Sequence, residues 1–349
     1  MVASRVATAL AGIVLAAACG GGGSAPAASA PAAQKQTCTN QSVKLAVPVT
    51  PPNVVHIPPY IAEDMGIFKE EGINVEISRF EGGVGAFRAM ASGAVDLAGT
   101  SSEPFITAVS QGADVKAVYT YAPNVDVAFV VGPNIKTPQD LKGKNIGIQE
   151  AGGFADVMSR LVLKKYGISP SDVHFVTTTT AGRVPELIAG HVDTGVLHID
   201  QVKTISARNP SIHTLVNMTD VVTNYEYSLW AASTDGIKNN GAKLECLVRA
   251  LVRADRVLYD TSKRQQVLDI MVKYTKEDAQ VVADTYDELL KLKAWPQNDG
   301  IPQVNMEGTA RSLKDSSQIT TIPKFTDMVD LSIAKKVVQQ LGPVKNFPY

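Results

Sequence analysis

A short signature occurs twice in this chain, and each copy closes the same run of elements. Ala91-Ser92-Gly93-Ala94-Val95-Asp96-Leu97-Ala98 and Ile188-Ala189-Gly190-His191-Val192-Asp193-Thr194-Gly195 both read as helix end, glycine stop, one residue, Val-Asp, strand. Glycine suits a helix C-terminus because it enters the left-handed region without steric cost. Each copy stands third in a strand–helix–strand–helix–strand series, and such alternation builds βαβ units with a mainly parallel sheet. Two copies in register predict one α/β unit used twice. Taken singly, Gly-x-Val-Asp is an ordinary helix-to-strand turn.

The pattern predicts strands over 42–48, 73–80, 95–98, 115–121 and 125–131 for the first series. Pro58 and Pro59 suit the first turn of a helix, and Tyr60, Ile61, Met65 and Phe68 continue it at helical spacing. Further helices are expected over 86–92 and 105–111. The second series has strands near 146–148, 173–178 and 194–197, with helices over 155–166 and 184–189. After Trp230 the chain turns helical, over 242–259, 262–274, 276–292, 303–316 and 328–340. No linker sets this part off, so it should pack back on the first unit.

Upstream of the body lies Arg5, then an apolar run from Val6 to Ala18. That run is too short for a bilayer core of ~30 Å and has the length of a secretory h-region. Leu15-Ala16-Ala17-Ala18-Cys19 resembles the lipobox of bacterial lipoproteins, which implies a lipid on Cys19; an ordinary signal peptide cut after Ala18 is the alternative. Residues 20–33 are only Gly, Ser, Ala and Pro, the composition of a flexible tether. The expected plan is a signal peptide at 1–18, a tether at 19–42, one lobe from 43–121 plus 231–349, and a second from 122–230.

The chain carries 33 Lys and Arg against 34 Asp and Glu, a balance that argues against a nucleic-acid partner. If Cys19 is lipidated, Cys38 and Cys246 remain in an oxidising compartment, either as one disulfide or as two thiols. Five histidines stand without ligand spacing, so no metal and no cofactor is expected.

Several motifs resemble those of the NMT1/THI5-like solute-binding proteins of ABC importers, the sulfonate, nitrate, taurine and pyrimidine-precursor group. They are Pro59-Tyr60-Ile61-Ala62 with Gly66-Ile67-Phe68 and Gly72-Ile73; Ala91-Ser92-Gly93 with Val95-Asp96; Asp140-Leu141-Lys142-Gly143-Lys144 with Ile146-Gly147; and Val329-Asp330 before Leu341-Gly342. The resemblance implies an α/β, two-lobed type II periplasmic-binding-protein fold with the ligand in the cleft. The crossings would lie near 119–123 and 224–230. It also implies a monomer, held to the membrane by its lipid, that hands a small molecule to a membrane permease with its ATPase. The ligand would be an organic anion; a flat pyrimidine or flavin precursor is the runner-up. The pyrimidine-synthase branch has a cysteine-rich motif that this chain lacks, so an enzyme is not expected.

Candidate contacts follow from the ends of the strands, where open parallel sheets bind ligands. Gly152-Gly153-Phe154 opens a helix whose free N–H groups favour an anion, or else is only a tight turn. Gly82 and Gly83 form the equivalent turn in the first unit. Thr100, Ser101 and Ser102 either orient a ligand or cap a helix, and His198 and Asp200 pose the same choice in the second unit. Thr50, Asn53 and His56 follow the first strand. Arg183 could hold an anion bidentately or be a solvated surface residue. Tyr121, Tyr225, Tyr227 and Trp230 at the crossings could stack on a flat ligand or belong to the core.

Overall fold

The computed structural model describes residues 38–347. The lipobox, Cys19 and the glycine-rich segment lie outside the described residues. Among the described residues, ten strands form two five-stranded sheets. The strands are β1 (Gln41–Val47), β2 (Ile73–Arg79), β3 (Leu97–Ser101), β4 (Val115–Ala122), β5 (Val127–Val131), β6 (Asn145–Ile148), β7 (His174–Thr177), β8 (Thr194–His198), β9 (His213–Asn217) and β10 (Ser228–Ser233). The first sheet runs β2-β1-β3-β10-β4 and the second β7-β6-β8-β5-β9.

The two orders are the same order. In each sheet a parallel trio is followed by one antiparallel strand, β10 in the first and β5 in the second. That strand is the one delivered from the other sheet. After β4 the chain leaves the first sheet and enters the second as β5; after β9 it returns as β10. Residues 123–126 and 218–227 are therefore the two links. Ser228, Leu229 and Trp230, read from the sequence as second-lobe residues, pair with β3 in the first sheet, because β10 begins directly after the link.

The repeated signature has a repeated role. Asp96 accepts a hydrogen bond from the backbone N of Lys44 at 2.8 Å, on β1. Asp193 accepts one from the backbone N of Asn145 at 2.9 Å, on β6. In each lobe the aspartate after the glycine stop ties the third strand to the first, at the end where a β-strand otherwise leaves donors unmet.

The C-terminal helices pack on the first sheet as expected. Leu247, Leu251 and Trp295 share a buried cluster with Leu45, Val118 and Trp230. Val329 bridges Ala117 of β4, so the Val329-Asp330 motif extends that sheet edge. A second cluster joins Phe87, Phe105 and Leu229 to Phe129, Ile146 and Val157 of the other sheet.

Four sequence expectations need correction. The body begins before residue 43, since β1 starts at Gln41 and Cys38 is disulfide-bonded to Cys246. The helix expected at 242–259 begins at Thr234, with non-helical geometry at Asn240. The last helix is two, Phe325–Met328 and Ser332–Leu341. Strand β9 was not foreseen, because as an edge strand it buries only Val216 fully.

Candidate functional site

Between the sheets lies a cavity of about 40 Å³, room for a few heavy atoms where one water needs roughly 10–15 Å³. Both lobes wall it: His56, Gly82, Gly83 and Ser101 from the first, Gln149, Glu150, Gly153, Phe154, Arg183 and His198 from the second, with Tyr227 from the link. Sequence reasoning placed His56, Gly82, Gly83, Ser101, Gly153, Phe154, Arg183, His198 and Tyr227 at a site, and the fold gathers all nine around this one space.

Several helices start at the cavity, and two of them do so at its glycine turns. Gly83–Ala91 begins in the first lobe and Phe154–Lys165 in the second. The first N–H groups of a helix have no partner within it and carry a partial positive charge. Gly152 has φ +74°, the turn that the sequence assigned to the glycine pair as a whole; Gly153 has φ −84° and needs no glycine for its backbone. Gly152 itself does not reach the cavity wall, since its N–H turns to Asp156 Oδ2 at 2.8 Å.

Arg183 opens the short Arg183–Ala189 helix rather than lying on a strand. Nη1 donates to Gln201 Oε1 at 3.3 Å, while Nε is buried with no hydrogen-bond partner. Among the described residues no carboxylate forms an ion pair with it. Burial lowers its pKa to about 10, opposed by the nearby Tyr227, Asp200 and Glu81, so the guanidinium is a cation at neutral pH. Gln149 Nε2, another cavity-wall donor, is also buried without a partner.

Behind the wall runs a polar chain. His198 Nδ1 lies 2.8 Å from Asp126 Oδ1. Tyr227 OH lies 3.2 Å from His198 Nε2 and 3.0 Å from His56 Nε2. Burial, and next the neighbouring His198, holds the His56 pKa well below the usual imidazole range, so His56 is neutral. One assignment runs through the chain: His198 Nδ1–H donates to Asp126, Tyr227 O–H donates to His198 Nε2, and His56 Nε2–H donates to the Tyr227 oxygen, with His56 Nδ1 left buried and unpartnered. Phe154 packs on the Tyr227 ring with centroids 4.4 Å apart, completing an aromatic side of the cavity.

Carboxylates tie the lobes together around this space. Glu150 accepts from the backbone N of Val84 at 2.9 Å and of Gly85 at 3.0 Å. Glu81 accepts from Thr180 N at 3.0 Å. Asp200 accepts from Asn53 Nδ2 at 3.2 Å and from Val54 N at 3.0 Å. Sequence reasoning missed Glu81, Gln149 and Glu150. Glu81 adjoins a turn already singled out, and Gln149-Glu150 directly follows β6 at the ligand end of a parallel sheet, which was the available signal.

The remaining sequence candidates do not line the cavity. Thr50 lies away from it. Asn53 Nδ2 donates to Asp200, which also accepts from Val54 N. Thr100 Oγ1 donates to Gly83 O at 2.9 Å, bracing the glycine turn from behind. Ser102 is buried, and its backbone N donates to Tyr227 O. Tyr121 stacks on Trp230 and donates to His56 O at 2.9 Å. Tyr225 donates to Glu103 Oε1 at 2.6 Å in the link. The hydroxyls of Thr100, Tyr121 and Tyr225 and the Asn53 Nδ2 amide turn toward protein partners, while Ser102 Oγ is buried without one. Among the described residues, no group of His, Cys, Asp and Glu could hold a metal ion, and no helix is long and apolar enough to cross a membrane.

The fold has many solved counterparts. The alkanesulfonate-binding protein SsuA of Xanthomonas axonopodis pv. citri, bound to MOPS, superposes with a TM-score of 0.65 at 18% identity over 82% of this chain and 96% of that one. The periplasmic nitrate-binding protein NrtA of Synechocystis PCC 6803 gives 0.68 at 12% identity over 88% and 90%. In sequence, the YtlA protein of Bacillus subtilis (strain 168) is 22% identical over 314 residues, 88% of this chain and 93% of its own length. The family model for NMT1/THI5-like proteins matches residues 53–261. A two-lobed periplasmic-binding-protein fold, a cleft closed by both lobes and this match together establish that the chain belongs to the NMT1/THI5-like family.

Proposed function

We propose that this protein captures a small organic anion, such as a sulfonate or carboxylate, between its lobes and delivers it to an ABC importer. The observation that carries the reading is Arg183: a cation at the cavity wall, its Nε buried without a partner and no carboxylate pairing with it. A buried, uncompensated donor of this kind costs free energy unless a ligand meets it. The N-terminus of the Phe154–Lys165 helix and the Gln149 amide face the same space, so charge, dipole and donors converge on one negative group. Capture by closure fits the observed hydrogen bonds from lobe to lobe, which cannot form in an open state.

The family and the sulfonate- and nitrate-binding neighbours support an importer subunit outside the cytoplasm. The lipobox-like segment at Cys19 supports an anchor, with a monomer working at the membrane face. The protein is read as a binder and not an enzyme. It lacks the cysteine-rich motif of the pyrimidine-synthase branch, and Cys38 and Cys246 are joined to each other.

One observation favours a second ligand class. Phe154, Tyr227, His198 and His56 give the cavity an aromatic side, which suits a flat pyrimidine or flavin precursor. A thermal-shift screen separates the two, since ligand at ~100 times Kd stabilises by about 2.7 kcal/mol. Shifts with sulfonates and carboxylates support the anion; shifts only with neutral or cationic heterocycles overturn it.

A further inference from the structure

Of the two helix N-termini that start at the cavity's glycine turns, one is already taken. The carboxylate of Glu150, which follows β6 in the second lobe, grips the start of the Gly83–Ala91 helix of the first lobe through Val84 N and Gly85 N. This is the bidentate geometry by which a helix start binds a free anion.

The glycines of that turn are shaped around it. A Cβ on Gly82 would stand 2.1 Å from Glu150 Oε2, and one on Gly85 3.1 Å from Phe80 Cδ1 and 3.2 Å from Glu150 Oε1. Gly82 has extended backbone, φ −160°, and neither residue has positive φ. Conformation does not require glycine at either position; at Gly82 the approach of the carboxylate does, and at Gly85 the carboxylate shares that role with the Phe80 ring. Thr100 Oγ1 fixes the same turn from behind through Gly83 O. A site built to this degree for a carboxylate is filled by the protein's own.

We propose that Glu150 is an internal surrogate anion that holds the lobes together and sets the charge of the ligand. It fills the first lobe's anion position and confines the ligand's negative group to Arg183 and the start of the Phe154–Lys165 helix. A second negative group would be pressed against Glu150 in a site of low polarisability, where like charges repel strongly. The selectivity part rests on the anion reading above; the latch part does not.

The test compares ethanesulfonate with ethane-1,2-disulfonate by calorimetry on the wild type, Glu150→Ala and the near-isosteric Glu150→Gln, with unfolding midpoints showing that each is folded. Small-angle scattering of each free protein is recorded alongside. The wild type should prefer the monoanion at least tenfold, and Glu150→Ala should reduce that preference tenfold or reverse it, with Glu150→Gln between. The free Glu150→Ala protein should be more expanded than the wild type. Equal affinities in the wild type, or a preference unchanged in folded Glu150→Ala, overturn the selectivity role. Identical free scattering profiles overturn the latch. If neither probe binds any of the proteins, the anion reading fails, and the scattering comparison alone decides whether Glu150 holds the lobes.

Discussion

Asp200 on the second lobe accepts a hydrogen bond from the backbone N of Val54 on the first at 3.0 Å. Its carboxylate also receives the Asn53 amide, and burial raises its pKa. All three groups are buried, so the contact exists only while the lobes are together. Asp200→Ala removes it and strands two donors. The expected result is a 10- to 100-fold loss of affinity for the tightest-binding sulfonate or carboxylate, about 1.4–3 kcal/mol, the scale of a lost hydrogen bond to a charged group. Calorimetry measures it; unchanged affinity would show that this contact plays no part in closure.

Glu103 makes stability depend on pH. Burial raises its pKa from 4.5 to about 7, opposed chiefly by the hydrogen bond from Tyr225. The folded protein therefore keeps a proton that the unfolded chain gives up. The stability from this group is complete below about pH 4.5 and declines as pH rises to about 7, by on the order of 3 kcal/mol in all. Glu103→Gln should flatten that part of the profile of unfolding free energy against pH. A profile with the same slope in the variant would remove Glu103 from the account.

The disulfide closes a separation of 208 residues, from Cys38 at the start of the body to Cys246 in a C-terminal helix. Long loops are the ones whose closure most restricts the unfolded chain. Cys38→Ser with Cys246→Ser should cost about 2–5 kcal/mol in denaturant unfolding and leave ligand affinity within twofold, since neither cysteine touches the cavity. A stability change under 1 kcal/mol would contradict the first expectation.

Gly152 and Gly153 should respond in opposite ways. Gly152 has φ +74° with open space around it, so Gly152→Ala should cost about 1–2 kcal/mol of stability through backbone strain alone and spare binding. Gly153 has no such φ, and a Cβ there would lie 3.2 Å from Glu150 O at the cavity wall. Gly153→Val should weaken binding by ~1–3 kcal/mol in a folded protein. The reverse pattern would place the ligand away from the Phe154–Lys165 helix.

The legible parts of this fold are those governed by local chemistry. Gly93 and Gly190 stop helices, and Asp96 and Asp193 turn back to the adjacent strand, so the repeat announces itself in a few residues. Gly82, Gly83 and Gly153 are legible as helix starts for the same reason. Glu150 is not, because its partners Val84 and Gly85 lie 66 and 65 residues away and nothing near Glu150 marks a carboxylate that will cross a cleft. Thr100, Tyr121 and Tyr225 sit where a ligand contact is reasonable, yet each hydroxyl finds a protein acceptor that only the folded chain supplies.

The proposed capture of an anion depends on Arg183 holding its negative group. Isothermal titration of a panel of small sulfonates and carboxylates into the wild type and into Arg183→Gln tests it most directly. Arg183→Gln keeps an N–H donor on a shorter side chain and removes the charge. The account predicts at least one anion bound by the wild type and weakened 10-fold or more in the folded variant, the scale of a charge-assisted hydrogen bond. Equal affinity of the two proteins for every bound anion would contradict it.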